Sequence, residues 1–129
     1  KVPSPDRLKV ISDTLDRLVE LHRPQVLAIE ELFFSKNVTS ALAVGEARGI
    51  AKLVAANNEI PVFDYKPAEV KKAIVGYGAA TKRQIQEMIK VVLNLDFIPQ
   101  PDHAADALAL AICHLRSRKY LELQERHTI

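Results

Sequence analysis

The chain has 129 residues, of which 48% are hydrophobic and 26% charged, and a formal net charge of +2. This suits one globular domain or part of one, and the charge is too balanced to announce a nucleic-acid partner on composition alone. Its one cysteine, Cys113, excludes an internal disulfide framework and a Cys-rich zinc site, and no apolar run approaches the length of a membrane span. With no charged-then-apolar export signal at the start, the expectation is a cytoplasmic α/β protein away from any membrane.

Ser4-Pro5-Asp6 reads as a helix start, a capping hydroxyl followed by proline and an acid in the first turn. Leu8, Ile11, Leu15 and Leu18 recur at helical spacing until Pro24. Val26-Leu27-Ala28-Ile29 is a short apolar run of the kind expected for a strand buried on both faces, and it ends in Glu30-Glu31. A loop from Leu32 to Asn37 leads into a helix over about Val38–Asn57. There Ala41, Gly45 and Gly49 form a smooth stripe suited to close packing.

Ile60 to Tyr65 reads as a second strand, placed near a sheet edge by Pro61. Pro67 opens a helix to about Val75, and Gly76-Tyr77-Gly78 breaks the chain. Thr81 and Gln84 form a capping box ahead of Ile85, Met88, Ile89 and Val92. The last helix is expected over about His103–Arg118, its run Ala107 to Cys113 wanting burial on nearly every side. Residues 119–129 are expected as a polar, frayed tail to a domain spanning 1–118.

Strands alternating with helices imply a parallel or mixed sheet flanked by helices. Only two strands are evident, which leads to the expectation that further strands lie upstream of Lys1.

Active sites of open α/β sheets lie beyond the carboxyl ends of the strands, where Glu30 and Glu31 stand. Neighbouring strand residues point to opposite sides, so at most one of these two faces such a crevice. His103 and Asp106 are three residues apart in the first turn of the last helix and so share a face. The positive helix end favours an ionised Asp106, which suits a metal ligand, whereas Asp102 is better placed to cap.

Lys66, Lys71, Lys72, Lys82 and Arg83 stand against one acid, Glu69, between positions 66 and 83. Lys82 and Arg83 fall in the first turn of a helix, where the dipole disfavours cations unless an anion is present; a phosphate backbone would supply one. In the loop before the second helix, Phe33 or Phe34 could stack on an unpaired base. Cys113 reads as core, and His114 as a core or helix-end residue.

In order along the chain, Val26-Leu27-Ala28-Ile29-Glu30-Glu31-Leu32-Phe33-Phe34-Ser35-Lys36-Asn37, Ser40 to Gly49, Val70 to Gly78 and Pro101-Asp102-His103-Ala104-Ala105-Asp106-Ala107-Leu108-Ala109 together closely resemble the RuvC-type Holliday-junction resolvases of bacteria. The resemblance implies a ribonuclease-H-like mixed sheet flanked by helices. It further implies a homodimer that makes paired metal-dependent nicks across a four-way DNA junction during recombination and repair, working with the RuvA–RuvB branch-migration machinery.

By resemblance, Glu30 is the strand-end catalytic carboxylate and Asp106 the last-helix carboxylate. His103 falls where some members carry aspartate and others histidine. These three would ligate Mg²⁺ or Mn²⁺, two ions per site, with His103 favouring Mn²⁺. Lys71 and Lys82 match the family's DNA-contacting lysines and Phe33 its aromatic near the crossover, with Lys36, Lys72 and Arg83 as further candidate DNA contacts. The family's first catalytic aspartate, in a Gly-Ile-Asp-Pro-Gly-like segment, has no counterpart in the chain. This leaves two alternatives open, a catalytically silent junction-binding module and another ribonuclease-H-like nuclease.

Overall fold

A computed structural model of the chain describes residues 4–31, 38–100 and 102–127, with side chains described as far as Arg118. The elements are α1 (Ser4–His22), β1 (Leu27–Glu30), α2 (Val38–Asn57), β2 (Val62–Tyr65), α3 (Pro67–Val75), α4 (Lys82–Val92) and α5 (Asp102–His127). They fall into two compact units, Lys1–Asp64 and Tyr65–Ile129.

In the first unit α1 packs along α2 without fully burying any of its own residues. Leu15, Leu18 and Val19 instead line an apolar cavity of about 280 Å³ together with Leu27, Val54 and Ile60. Ser4 is already helical, and its hydroxyl donates to Glu46 at 3.4 Å instead of standing before the helix as a cap. Arg23, in the left-handed region at φ 50°, closes α1 by donating its N–H to the Val19 carbonyl just before Pro24.

Val54, Ala55 and Ala41 of α2 are buried. The expected stripe of small residues packs only in part. Gly49 is exposed, with nothing within 4 Å of where a Cβ would stand.

β1 and β2 pair in parallel across the α2 crossover, forming a two-stranded sheet among the described residues. The expected burial of β1 on both faces is not found. Leu27, Ala28 and Ile29 are half-buried. Pro61 contributes only its carbonyl, which accepts from the Leu27 N–H at 2.9 Å.

In the second unit, Glu69 reaches back to accept from the Lys66 N–H at 3.1 Å and fixes the start of α3. Gly76, at φ 92°, ends it with an N–H bond to Lys72. Thr81 and Gln84 form the expected capping box: the Thr81 hydroxyl accepts from Gln84 N–H at 3.2 Å, and the Gln84 amide oxygen from Thr81 N–H at 2.8 Å. The Arg116 guanidinium donates to the carbonyls of Ala73 and Ile74, covering the negative end of α3.

Val70 and Ile74 of α3, Ile85 and Ile89 of α4, and Ala105, Ala109, Ile112 and Cys113 of α5 make the core of this unit. α5 corrects the expectation of burial on nearly every side. One stripe is buried at helical spacing, while Ala107, Ala111 and Leu115 are exposed, because only one face of α5 meets α3 and α4. The helix also runs past Arg118 to His127, since the residues there are mostly good helix formers and none is glycine or proline.

Two buried groups tie the stability of this unit to pH. Burial pushes the Cys113 thiol above its ordinary 9.0, a hydrogen bond with Ser117 opposes the shift, and the charge of Glu69 adds to it. Burial likewise raises Tyr65 above 10.0, with smaller contributions from Cys113 and Glu69. Both groups favour the neutral form in the fold, so their contribution is full below the ordinary values and is lost as pH rises through the folded ones. Urea midpoints are therefore expected to fall above about pH 9, and less steeply in Cys113→Ala. Equal slopes for the two proteins would contradict this assignment.

Candidate active site

Glu30 is the last residue of β1 and is exposed, while Glu31 beyond it is half-buried. Its backbone is anchored: the Glu30 carbonyl accepts from Arg48 Nε at 2.9 Å, and the same guanidinium donates through Nη2 to Asp64 Oδ1 at 2.6 Å. Lys52 lies 3.6 Å from the other Asp64 oxygen. Sequence reading missed Arg48 and Asp64 because the key acceptor is a main-chain carbonyl, which leaves no trace in residue type.

In the second unit, the first turn of α5 presents Asp102, His103 and Asp106. Lys82, at the start of α4, places its ammonium 3.5 Å from Asp102 Oδ2 and 3.8 Å from Asp106 Oδ2. Asp102 Oδ1 also accepts from the buried Gln86 amide at 2.9 Å. The expected cap role of Asp102 is thus corrected. It is the first residue inside the helix, and its carboxylate reaches across to α4.

The anion that a lysine at a helix N-terminus requires is, for Lys82, supplied by the protein's own carboxylates. Arg83 pairs with Glu87 at 2.9 Å one turn on. Lys71 is half-buried, and Lys72 and His103 are exposed. Phe33 and Lys36 lie outside the described residues.

His114 is core, one of the two places expected for it, and its Nδ1 lies 2.5 Å from the hydroxyl of Tyr65, the two rings meeting edge-on. Among the described residues, no three His, Cys, Asp or Glu side chains gather closely enough to hold a metal ion. The Asp102–Asp106 pair nevertheless meets the elementary requirement of a hard-cation site. Its two carboxylates already share one cation, the ammonium of Lys82, and carboxylate oxygens are the donors that Mg²⁺ and Mn²⁺ take.

The helices and small parallel sheet are those of the ribonuclease-H-like class. The fold matches that class: the structure of RuvC from Thermus thermophilus superposes with a TM-score of 0.85 at 34% identity, covering 92% of this chain and 72% of that one. The model of the crossover junction endodeoxyribonuclease RuvC family matches residues 1–114.

The chain is 52% identical to the crossover junction endodeoxyribonuclease RuvC of Alkaliphilus oremlandii over 120 residues, 93% of this chain and 73% of that protein. It is 55% identical to the one from Chloroflexus aurantiacus over 113 residues, 88% and 69% of the two chains. A second Thermus thermophilus RuvC structure, solved in complex with a Holliday junction substrate, matches at 35% identity and TM-score 0.85, covering 88% of this chain and 69% of that one. The chain belongs to the crossover junction endodeoxyribonuclease RuvC family, whose members are metal-dependent hydrolytic nucleases. Among its described residues, no helix is long and apolar enough to cross a membrane.

Proposed function

We propose that the chain acts as a structure-selective endonuclease that resolves four-way junctions by paired phosphodiester hydrolysis, as a homodimer serving RuvA–RuvB-driven recombination and repair in the bacterial cytoplasm. The observation that carries this reading is an identity of about one half to crossover junction endonucleases over most of the chain's length, with the Asp106 carboxylate half-exposed at the start of α5.

Glu30, His103 and Asp106 are the residues that would hold the metal, as Mg²⁺ or Mn²⁺ and two ions per site, with the imidazole favouring Mn²⁺. When bound, divalent ions supply charge neutralisation at the scissile phosphate and a water acidic enough to attack it. Gln86 and Lys82 hold Asp102 beside Asp106. Lys71, Lys72, Lys82 and Arg83 supply positive charge for the phosphate backbone, Phe33 is assigned to the DNA crossover on the strength of the family resemblance, and Lys36 is a further candidate DNA contact.

A synthetic four-way junction and a linear duplex of the same sequence test the proposal with Mg²⁺, Mn²⁺ or EDTA present. Paired nicks confined to the junction and to the metal-containing reactions are expected. Equal cutting of the duplex points to a different ribonuclease-H-like specificity. Tight junction binding without nicking supports a second reading, a silent binding module.

Lys82→Ala is expected to weaken junction binding and to reduce the slope of log affinity against log salt by about 1, the share of one phosphate contact. A slope unchanged from the parent protein would remove Lys82 from the DNA interface.

A further inference from the structure

Arg48 projects from the middle of α2 with its side chain only 19% exposed. The guanidinium makes two directed bonds, from Nε to the carbonyl of Glu30 at 2.9 Å and from Nη2 to Asp64 at 2.6 Å. Glu30 is the final residue of β1, where the ladder stops holding the backbone, and Asp64 lies in β2 beside it. The arginine therefore ties together the ends of two strands at the point where Glu30 leaves the sheet. A guanidinium suits this task because its planar donors are fixed relative to one another, whereas an ammonium is a single point charge on a flexible stem.

Asp64 offsets the charge of Arg48, and with Lys52 the three side chains carry a net charge of +1. An uncompensated cation next to a metal-binding carboxylate would oppose a divalent ion. Asp64 neutralises Arg48, and Lys52, at 3.6 Å from Asp64, keeps Asp64 from turning away.

We propose that Arg48 is a positioning residue for Glu30. By holding the Glu30 carbonyl against Asp64, it sets the direction in which the Glu30 carboxylate projects, while Asp64 cancels its charge. This rests on the reading of Glu30 as a metal-binding carboxylate. Arg48→Lys keeps the charge and removes the fork. Asp64→Asn keeps the shape and removes the compensation.

Both variants and Glu30→Gln are compared with the parent protein for Mn²⁺ affinity by calorimetric titration, for single-turnover junction cleavage, and for junction affinity in metal-free buffer. All measurements are made well below each variant's melting temperature. Arg48→Lys and Asp64→Asn are each expected to weaken Mn²⁺ binding about tenfold and to slow cleavage at least as much, while metal-free junction affinity stays within about twofold. A residue serving the fold alone would lower the melting temperature and leave the Mn²⁺ affinity of the folded protein unchanged, and that result overturns the proposal.

Glu30→Gln separates the two levels. If it binds Mn²⁺ and cleaves like the parent protein, the assignment of Glu30 fails and the role of Arg48 with it. If it loses both while Arg48→Lys keeps both, only the inference about Arg48 fails.

Discussion

Asp106→Asn is expected to reduce junction cleavage about 10³-fold or more and to leave junction binding in metal-free buffer nearly unchanged. The amide preserves the volume of the carboxylate but removes the charge that holds a divalent cation. Losing roughly 4 kcal/mol of transition-state charge stabilisation corresponds to about three powers of ten in rate.

Unfolding does not supply an alternative cause. Asp106 is half-exposed, its pairing with Lys82 at 3.8 Å is a surface contact, and such contacts contribute about 0–1 kcal/mol. Lys82 also keeps Asp102 at 3.5 Å. Single-turnover cleavage, gel-shift binding and Mn²⁺ titration together decide the matter. Junction affinity that falls in step with cleavage would make Asp106 part of the DNA interface instead of the metal site. Asp102→Asn is the informative contrast, since that carboxylate is already engaged by Gln86 and Lys82 and its loss is expected to slow cleavage far less.

The second large effect is structural. Ile89→Ala is expected to cost about 2–5 kcal/mol, the range for removing a fully buried aliphatic side chain. Ile89 is 0% exposed, on the face of α4 that also buries Ile85 and Gln86. That cost is a large share of the roughly 5–15 kcal/mol that holds a typical domain folded.

The consequence reaches the site, because α4 carries both Lys82 and Gln86 and so sets how Asp102 and Asp106 are held. Urea midpoints measure the loss, with Val91→Ala as the control. Val91 is on the same helix but 72% exposed, and its change should stay within about 0.5 kcal/mol. Equal destabilisation by the two substitutions would show that Ile89 does not anchor α4.

The local elements were largely legible in the chain. Thr81 and Gln84 announce a capping box that forms as read, and Ile85 and Ile89 keep the helical period of the buried face. Cys113, placed in the core on apolar context, and His114, placed there or at a helix end, are 1% and 4% exposed. The resemblance carried by Glu30, Lys71 and the Asp102–Asp106 segment led to the family that the comparisons establish. Less legible was how much of each face finds cover. β1 and α5 both look apolar on every side, but burial depends on which neighbours arrive, and neighbours are not written in a local period.

The sequence by itself determined where α2 and α3 start and stop and where α4 starts, which residue types could bind metal or phosphate, and the family. Those properties follow from backbone propensity, capping chemistry and motif order, all of which act over a few residues or are matched in sequence. Only the tertiary structure decided that Lys82 finds its anion in Asp102 and Asp106, that Tyr65 meets His114, and that Arg48 holds the carbonyl of Glu30. Each of these contacts joins residues 18 to 49 positions apart, and none follows from local spacing. The last one ends on a main-chain oxygen that every residue possesses, so no choice of amino acid could have marked it.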